Sequence, residues 1–448
     1  MVEITALVDE GLGNSSYLVD IGDRRALVID PARDIRPYRA RAETAGLNLA
    51  FAVETHLHAD FVSGSRELAA VGATILAPRA GDLAFPHTGL IDGELIDLGG
   101  LSLEAIGTPG HTPEHLGYVL RDGELPLALF SGGALLPGAV ARTDLIAPEQ
   151  TDPLARSLFR ALHDRILSLP DDLDVYPTHG AGSFCSTAAD GDRTTTIGRE
   201  RAANPLLAAP DEDAFVDLLL RTLGTYPTYF ERLREVNRRG PHVYGTFPAL
   251  PPLPVDDVER RVAAGAELVD VRPIEAFAEG HVPDSLSIAL RPSFASWLGW
   301  LVAADRPLVF VLGADQDREE LVRQALGIGY EQLAGELAGG VDTWRDSGRP
   351  LARTRLVHEM DPERDAIVDV RQASEYASGH VPGGRSLELG SLVGSSLEML
   401  PGGGTFMCGH GERAMSAASL AQRSGRDAQV YIGSAERWAR KTGRSLAR

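Results

Sequence analysis

The feature that most constrains this chain is a repeat in its second half. Leu268-Val269-Asp270-Val271-Arg272 recurs as Ile367-Val368-Asp369-Val370-Arg371, and Gly280-His281-Val282-Pro283 recurs as Gly379-His380-Val381-Pro382, ten residues after the Asp in both copies. Gly339 to Trp344 is echoed by Gly433 to Trp438. The offset is about ninety-nine residues at its start, the length of a small domain, so two domains of one fold stand in line. Each copy alternates strand-like and helix-like stretches, as a parallel α/β unit does. Ahead of them lies Pro248-Ala249-Leu250-Pro251-Pro252-Leu253-Pro254, which cannot continue a helix and marks a boundary. A chain of 448 residues exceeds one core, and the expected domains are 1–250, 255–352 and 355–448.

D-V-R, then G-H-V-P and a later G-G-x-x-x-W, resembles the frame of the rhodanese family, whose active-site loop C-x-x-G-x-R lies between a strand and a helix. The second copy has that loop: Thr405-Phe406-Met407 reads as a strand, Cys408-Gly409-His410-Gly411-Glu412-Arg413 follows, and Ala414–Arg423 has a helical pattern. So tight a loop turns backbone N–H groups inward; with the helix N-terminus and Arg413 they stabilise a thiolate on Cys408. The thiolate attacks sulfane sulfur, becomes a persulfide, and passes the sulfur to a second thiol. Gly409, His410, Gly411 and Glu412 complete the substrate-binding loop, with the Glu412 charge set against anions such as thiosulfate and His410 exposed as either a tuning group or a bystander. In the first copy Pro307–Leu312 leads into Gly313-Ala314-Asp315-Gln316-Asp317-Arg318. Gly313 stands where the resemblance calls for the cysteine, so this copy is read as a silent domain for packing or docking. His281 and His380 are read as structural.

The first half carries a different pattern. Thr5–Val8, Ser16–Val19 and Ala26–Asp30 read as strands, and Ala50-Phe51-Ala52-Val53 leads straight into Thr55-His56-Leu57-His58-Ala59-Asp60-Phe61. Residues 204–240 are mostly helical in pattern, most clearly Asp211–Leu223. Further runs are Gly107-Thr108-Pro109-Gly110-His111-Thr112-Pro113, Phe130-Ser131-Gly132-Gly133-Ala134-Leu135 and Tyr176-Pro177-Thr178-His179-Gly180. Together they resemble the metallo-β-lactamase superfamily, which normally has His where Phe61 stands and a metal-binding Asp where Gly133 stands. Glu54-Thr55-His56, Arg142-Thr143-Asp144-Leu145, His179-Gly180-Ala181-Gly182-Ser183, Thr196–Arg201, Asn204-Pro205 and Pro227-Thr228-Tyr229-Phe230 narrow the resemblance to the persulfide dioxygenases fused to rhodanese domains.

That resemblance covers essentially the whole chain. It implies an α/β fold class, with a metallo-β-lactamase αββα sandwich followed by two rhodanese-like doubly wound domains. It also implies one non-haem Fe(II) held by two His and one carboxylate, with positions open for thiol and O₂. Carried over, the His ligands are His56 and His111, and the carboxylate falls on Gly133. Phe61 removes a second-site ligand of the two-metal hydrolases and Gly133 their bridging carboxylate, so the resemblance argues against a hydrolytic two-metal centre. Two metal readings stand side by side: His56, His58 and His111 hold one Fe(II) or other divalent ion, aided by Asp60, or the site is metal-free. His115 and His179 are assigned behind the ligands, and Cys185 is a candidate relay thiol.

Composition bounds the rest. A net charge of −20 argues against nucleic acid and anionic membranes as partners. No apolar run is long enough to span a bilayer, and Met1-Val2-Glu3-Ile4 opens no signal peptide. The two cysteines build no disulfide framework, so a reducing cytoplasm is expected. The expected partners are a small persulfide, thiosulfate or a low-molecular-weight thiol, and the resemblance implies self-association. Three functions compete: sulfurtransferase at Cys408, the same with a working iron dioxygenase in front, and a non-catalytic persulfide-binding or redox-sensing scaffold.

Overall fold

The computed structural model describes residues 2–186, 191–393 and 402–448. The chain forms two compact units, one of residues 1–247 with 326–329, the other of 248–325 with 330–448.

The first unit is built on two six-stranded sheets. In one, Ile4–Asp9, Asn14–Gly22 and Arg25–Ile29 pair antiparallel; Asn48–Val53, Thr74–Pro78 and Thr88–Leu90 then add in parallel. In the other, Leu95–Asp97, Ser102–Gly107, Leu116–Asp122 and Leu125–Gly132 run as an antiparallel meander, and Asp174–Pro177 joins Leu125–Gly132 in parallel. The period-two alternation of strands assigns the faces. Tyr17, Val19, Leu27 and Ile29 meet Leu103, Ala105, Tyr118 and Phe130 between the sheets. Leu18, Ala26 and Val28 turn the other way, onto Tyr38 and Leu68 of the helical layer. Behind the second sheet, Val119 and Leu129 pack on Leu158, Phe215 and Leu219 of the helices Thr151–Ala161 and Glu212–Thr222. This is the αββα sandwich. The helical tract expected over 204–240 is interrupted: Glu212–Thr222, capped by the Asp211 side chain accepting from Ala214 N at 2.9 Å, is separate from Phe230–Arg239, and Pro227 lies in the break.

The second unit holds two five-stranded sheets with one topology. Their orders are Pro252–Leu253, Leu333–Leu337, Leu308–Val311, Glu267–Asp270, Leu286–Ser287, and Arg355–Val357, Asp427–Tyr431, Gly403–Met407, Ile367–Asp369, Arg385–Ser386. All pairs are parallel. The proline run is thus more than a spacer, because Pro252–Leu253 pairs with Glu336 and Leu337 at a sheet edge, where a missing N–H is tolerated. The repeated landmarks do the same work twice. Arg272 forks onto Asp270 and donates to Gly280 O at 2.9 Å, and Arg371 forks onto Asp369 and donates to Gly379 O at 2.8 Å. His281 stacks on Phe277 and His380 on Tyr376, each at 3.7 Å between centroids. Both rings also turn Nδ1 to the same residue's carbonyl. No helix among the described residues is long and apolar enough to cross a membrane.

Candidate functional site

Two groups of side chains have chemistry to offer. The first gathers at the carboxyl ends of strands in the front unit. Arg25–Ile29 delivers Asp30, Asn48–Val53 delivers Glu54 and His56, Ser102–Gly107 leads to His111, Leu125–Gly132 to Gly133, and Asp174–Pro177 to His179. All these polar side chains are buried.

His56, His111 and His179 come together, with one ring nitrogen of each within 4.8 Å of the others. The opposite nitrogens are fixed by hydrogen bonds. Thr55 Oγ1 donates to Asp30 Oδ2 at 2.8 Å, so at 2.8 Å from His56 Nδ1 it accepts. His111 Nδ1 donates to Arg142 O at 2.6 Å. His179 Nδ1 faces Asn14 Oδ1 at 3.1 Å and Asp60 Oδ2 at 3.3 Å. Each ring therefore turns Nε2 to the common centre; His56 Nε2 lies 3.4 Å from His179 Nε2, and His111 Nε2 is buried without a hydrogen-bond partner. Burial, reinforced by the neighbouring imidazoles, holds His56 and His111 well below the usual histidine range, so both are neutral donors. The set fits a divalent transition-metal ion.

His58 is not in that group. Its Nε2 lies 3.2 Å from Asp30 Oδ1 and 3.1 Å from Glu54 Oε2. Burial opposes its protonation, yet Asp30 and Glu54 push its pKa up to about 10. The expected trio of His56, His58 and His111 is not the one that gathers: His58 falls instead with Asp60 and His179, and with Asp30 and Glu54, and its Nδ1 is buried without a hydrogen-bond partner. Phe61 stacks on that ring at 4.2 Å. His179, expected behind the ligands, lies with His56 and His111. Asp60 lies behind His179, and its carboxyl is held below the usual range: burial raises it, but His179, His58 and Asn14 together outweigh burial. His115 supports the wall of the site, its Nε2 accepting from Gly133 N at 2.9 Å. The Cys185 thiol is held well above the ordinary range by burial, with Asp60 adding to the effect; a protonated thiol is a poor relay nucleophile. Asp30 was missed by sequence reasoning. Its only signal is its place at a strand end, where it takes a left-handed φ of 47° and accepts from Thr55 N at 2.7 Å.

The second group is the loop after strand Gly403–Met407. Cys408 is buried, and its Sγ accepts from Gly411 N at 3.1 Å. Helix Glu412–Arg423 starts at once, with Gly411 at φ 116°. A Cβ on Gly411 would lie 2.8 Å from Ile274 Cδ1, so glycine is required. Arg413 forks onto Glu375 at 2.6 and 2.9 Å, with its guanidinium 5.9 Å from the Trp297 ring centre. Glu412, expected to set its charge against anions, is paired through Oε1 with Arg291 at 2.9 Å. His410 is exposed and Gly409 partly so. Ile274, Arg291 and Trp297 come from the copy without a cysteine, and no motif marked them. In that copy the matching loop closes on itself: Gly313 N donates to Gln316 Oε1 at 2.8 Å, and Gln316 Nε2 to Val271 O at 2.8 Å.

Comparison with known proteins agrees with this geometry. Residues 9–180 match the metallo-beta-lactamase superfamily, and residues 254–347 and 353–441 each match the rhodanese-like domain. The mitochondrial persulfide dioxygenase ETHE1 of Homo sapiens is 33% identical over 209 residues, covering 46% of this chain and 75% of that protein. The hydroxyacylglutathione hydrolase GloC of Haemophilus influenzae is 26% identical, over 43% of this chain and 92% of that one. A crystal structure of a metallo-beta-lactamase from Staphylococcus aureus superposes with a TM-score of 0.66 and 27% identity, covering 75% of this chain and 99% of that one.

Proposed function

The chain belongs to the persulfide dioxygenase family, as a metallo-β-lactamase domain followed by two rhodanese-like domains, and from that premise we propose that it is a sulfurtransferase acting through a Cys408 persulfide. Sulfur metabolism is the common ground of both parts. We divide the chain at 1–250, 255–352 and 355–448, and assign transfer to the last.

The observation that carries the reading is the Gly411 N–H on Cys408 Sγ at the mouth of helix Glu412–Arg423. An N–H aimed at sulfur and a helix N-terminus place positive potential at the nucleophile. Cys408 Sγ attacks the outer sulfur of thiosulfate or of a small persulfide. The S–S bond breaks, and its electron pair leaves with sulfite or with the parent thiolate. An acceptor thiolate then attacks the terminal sulfur of the Cys408 persulfide and returns the pair to Cys408. Arg413 closes the loop, its guanidinium held in a two-point fork by Glu375.

In the front domain, His56 and His111 are the donors that match the family's iron ligands, and a bound Fe(II) supplies open positions for thiol and O₂. Persulfide oxidation is the second reading, supported by the converging imidazoles. One experiment addresses both. Cys408→Ser abolishes transfer from thiosulfate to cyanide; retained transfer in that variant overturns the first reading. Persulfide-dependent oxygen uptake, if the second reading holds, survives Cys408→Ser and is lost in His111→Ala.

A further inference from the structure

The geometry points to a rebuilt metal centre of three imidazoles, in which His179 takes the place of the carboxylate that Gly133 lacks and Asp60 is its positioning residue. This goes beyond sulfur transfer and does not depend on it.

Three observations converge. The first is donor geometry. His56 Nε2 and His179 Nε2 are 3.4 Å apart, the edge spanned by two imidazole nitrogens each about 2.1 Å from a tetrahedral ion. His111 Nε2, buried and without a partner, completes the triangle. The second is the state of position 133. A Cβ there would lie 2.7 Å from His111 Cδ2 and 3.0 Å from Ala141 Cβ. His111 cannot yield freely, because its Nδ1 is bonded to Arg142 O. The space for a carboxylate at 133 has been closed, so this is not a family site waiting for its missing side chain.

The third is charge. Two imidazoles and a carboxylate leave a divalent ion with net +1. Three neutral imidazoles leave +2, and the buried Asp60, 3.3 Å behind His179 Nδ1, restores the balance from one shell out. Asn14 Oδ1, 3.1 Å from His179 Nδ1, fixes the tautomer, and a carboxylate 3.3 Å behind the same nitrogen makes the ring a stronger donor. The negative charge has moved from the metal to the back of the third ring.

The test is Co(II) titration of the untagged full chain, prepared without oxygen and followed by visible absorption, with iron and cobalt per chain measured in parallel. The wild type is expected to take one Co(II). His179→Ala is expected to lose affinity by about a hundred-fold or more, and Asp60→Asn by about ten- to a hundred-fold. Asp60→Asn keeps the stoichiometry but shifts the Co(II) bands, which a merely structural role would not do. Gly133→Asp is expected to weaken binding, since His111 must move. Circular dichroism verifies folding, and should His179→Ala fail to fold, Gly133→Asp decides alone. No stoichiometric Co(II) in the wild type, undiminished affinity in His179→Ala, or tighter binding in Gly133→Asp each overturns the inference.

Discussion

At the scale of the residue, function here turns on side chains that are missing. Gly411 must lack a Cβ because Ile274 and Ile432 crowd the space, and its φ of 116° suits no other residue. Gly411→Ala is expected to cost about 1–3 kcal/mol, the usual range for a strained backbone at a functional turn. It also swings N–H 411 off Cys408 Sγ. Denaturant unfolding and thiosulfate–cyanide transfer should fall together; normal values of both would show that the loop tolerates the side chain. The identity of Cys408 and its loop was legible because the residues that define the loop are contiguous in sequence. The metal group was legible only in part. His56 and His111 stand in motifs, but the choice between His58 and His179 depends on Asp30 and Asp60, which act through space. Asp30 comes from a strand end and captures His58. Asp60, two residues after His58, turns instead to His179.

At the scale of the element, the repeat foretold two sheets of one topology, since a duplicated pattern of landmarks fixes where each strand ends. It gave no hint that the copies share a site. Helix Glu412–Arg423 packs on the first copy: Ser416 Oγ donates to Ser287 O at 2.6 Å, Ser287 N donates to Ser419 Oγ at 3.2 Å, and Arg291 pairs with Glu412. The silent copy therefore forms a wall of the active loop and compensates its acidic residue. Arg291→Ala leaves the Glu412 charge facing an anionic donor. Two like charges several ångströms apart in a watery mouth repel by about 1 kcal/mol, so the KM for thiosulfate should rise about five-fold, more at low salt than at high salt. Adding Glu412→Gln should restore it. An unchanged KM in Arg291→Ala would mean that the pair is remote from the substrate path.

At the scale of the whole molecule, each unit has its own core. Among the described residues, apolar clusters lie between and behind the sheets of the front unit, and others lie in the rear unit. A metal held by the buried imidazoles His56, His111 and His179 would lie within the front unit, so its binding would be linked to unfolding of that unit. An ion present at about a thousand times its Kd stabilises the folded form by about 4 kcal/mol. For a unit of this size that is about 8–16 °C in Tm. Calorimetry of the full chain should show two transitions. Stoichiometric Fe(II) or Co(II) raises one and chelation lowers it, while Gly411→Ala lowers only the other. A single transition, or two that move together under both changes, would show that the units unfold as one cooperative body and that the metal stabilises the entire chain.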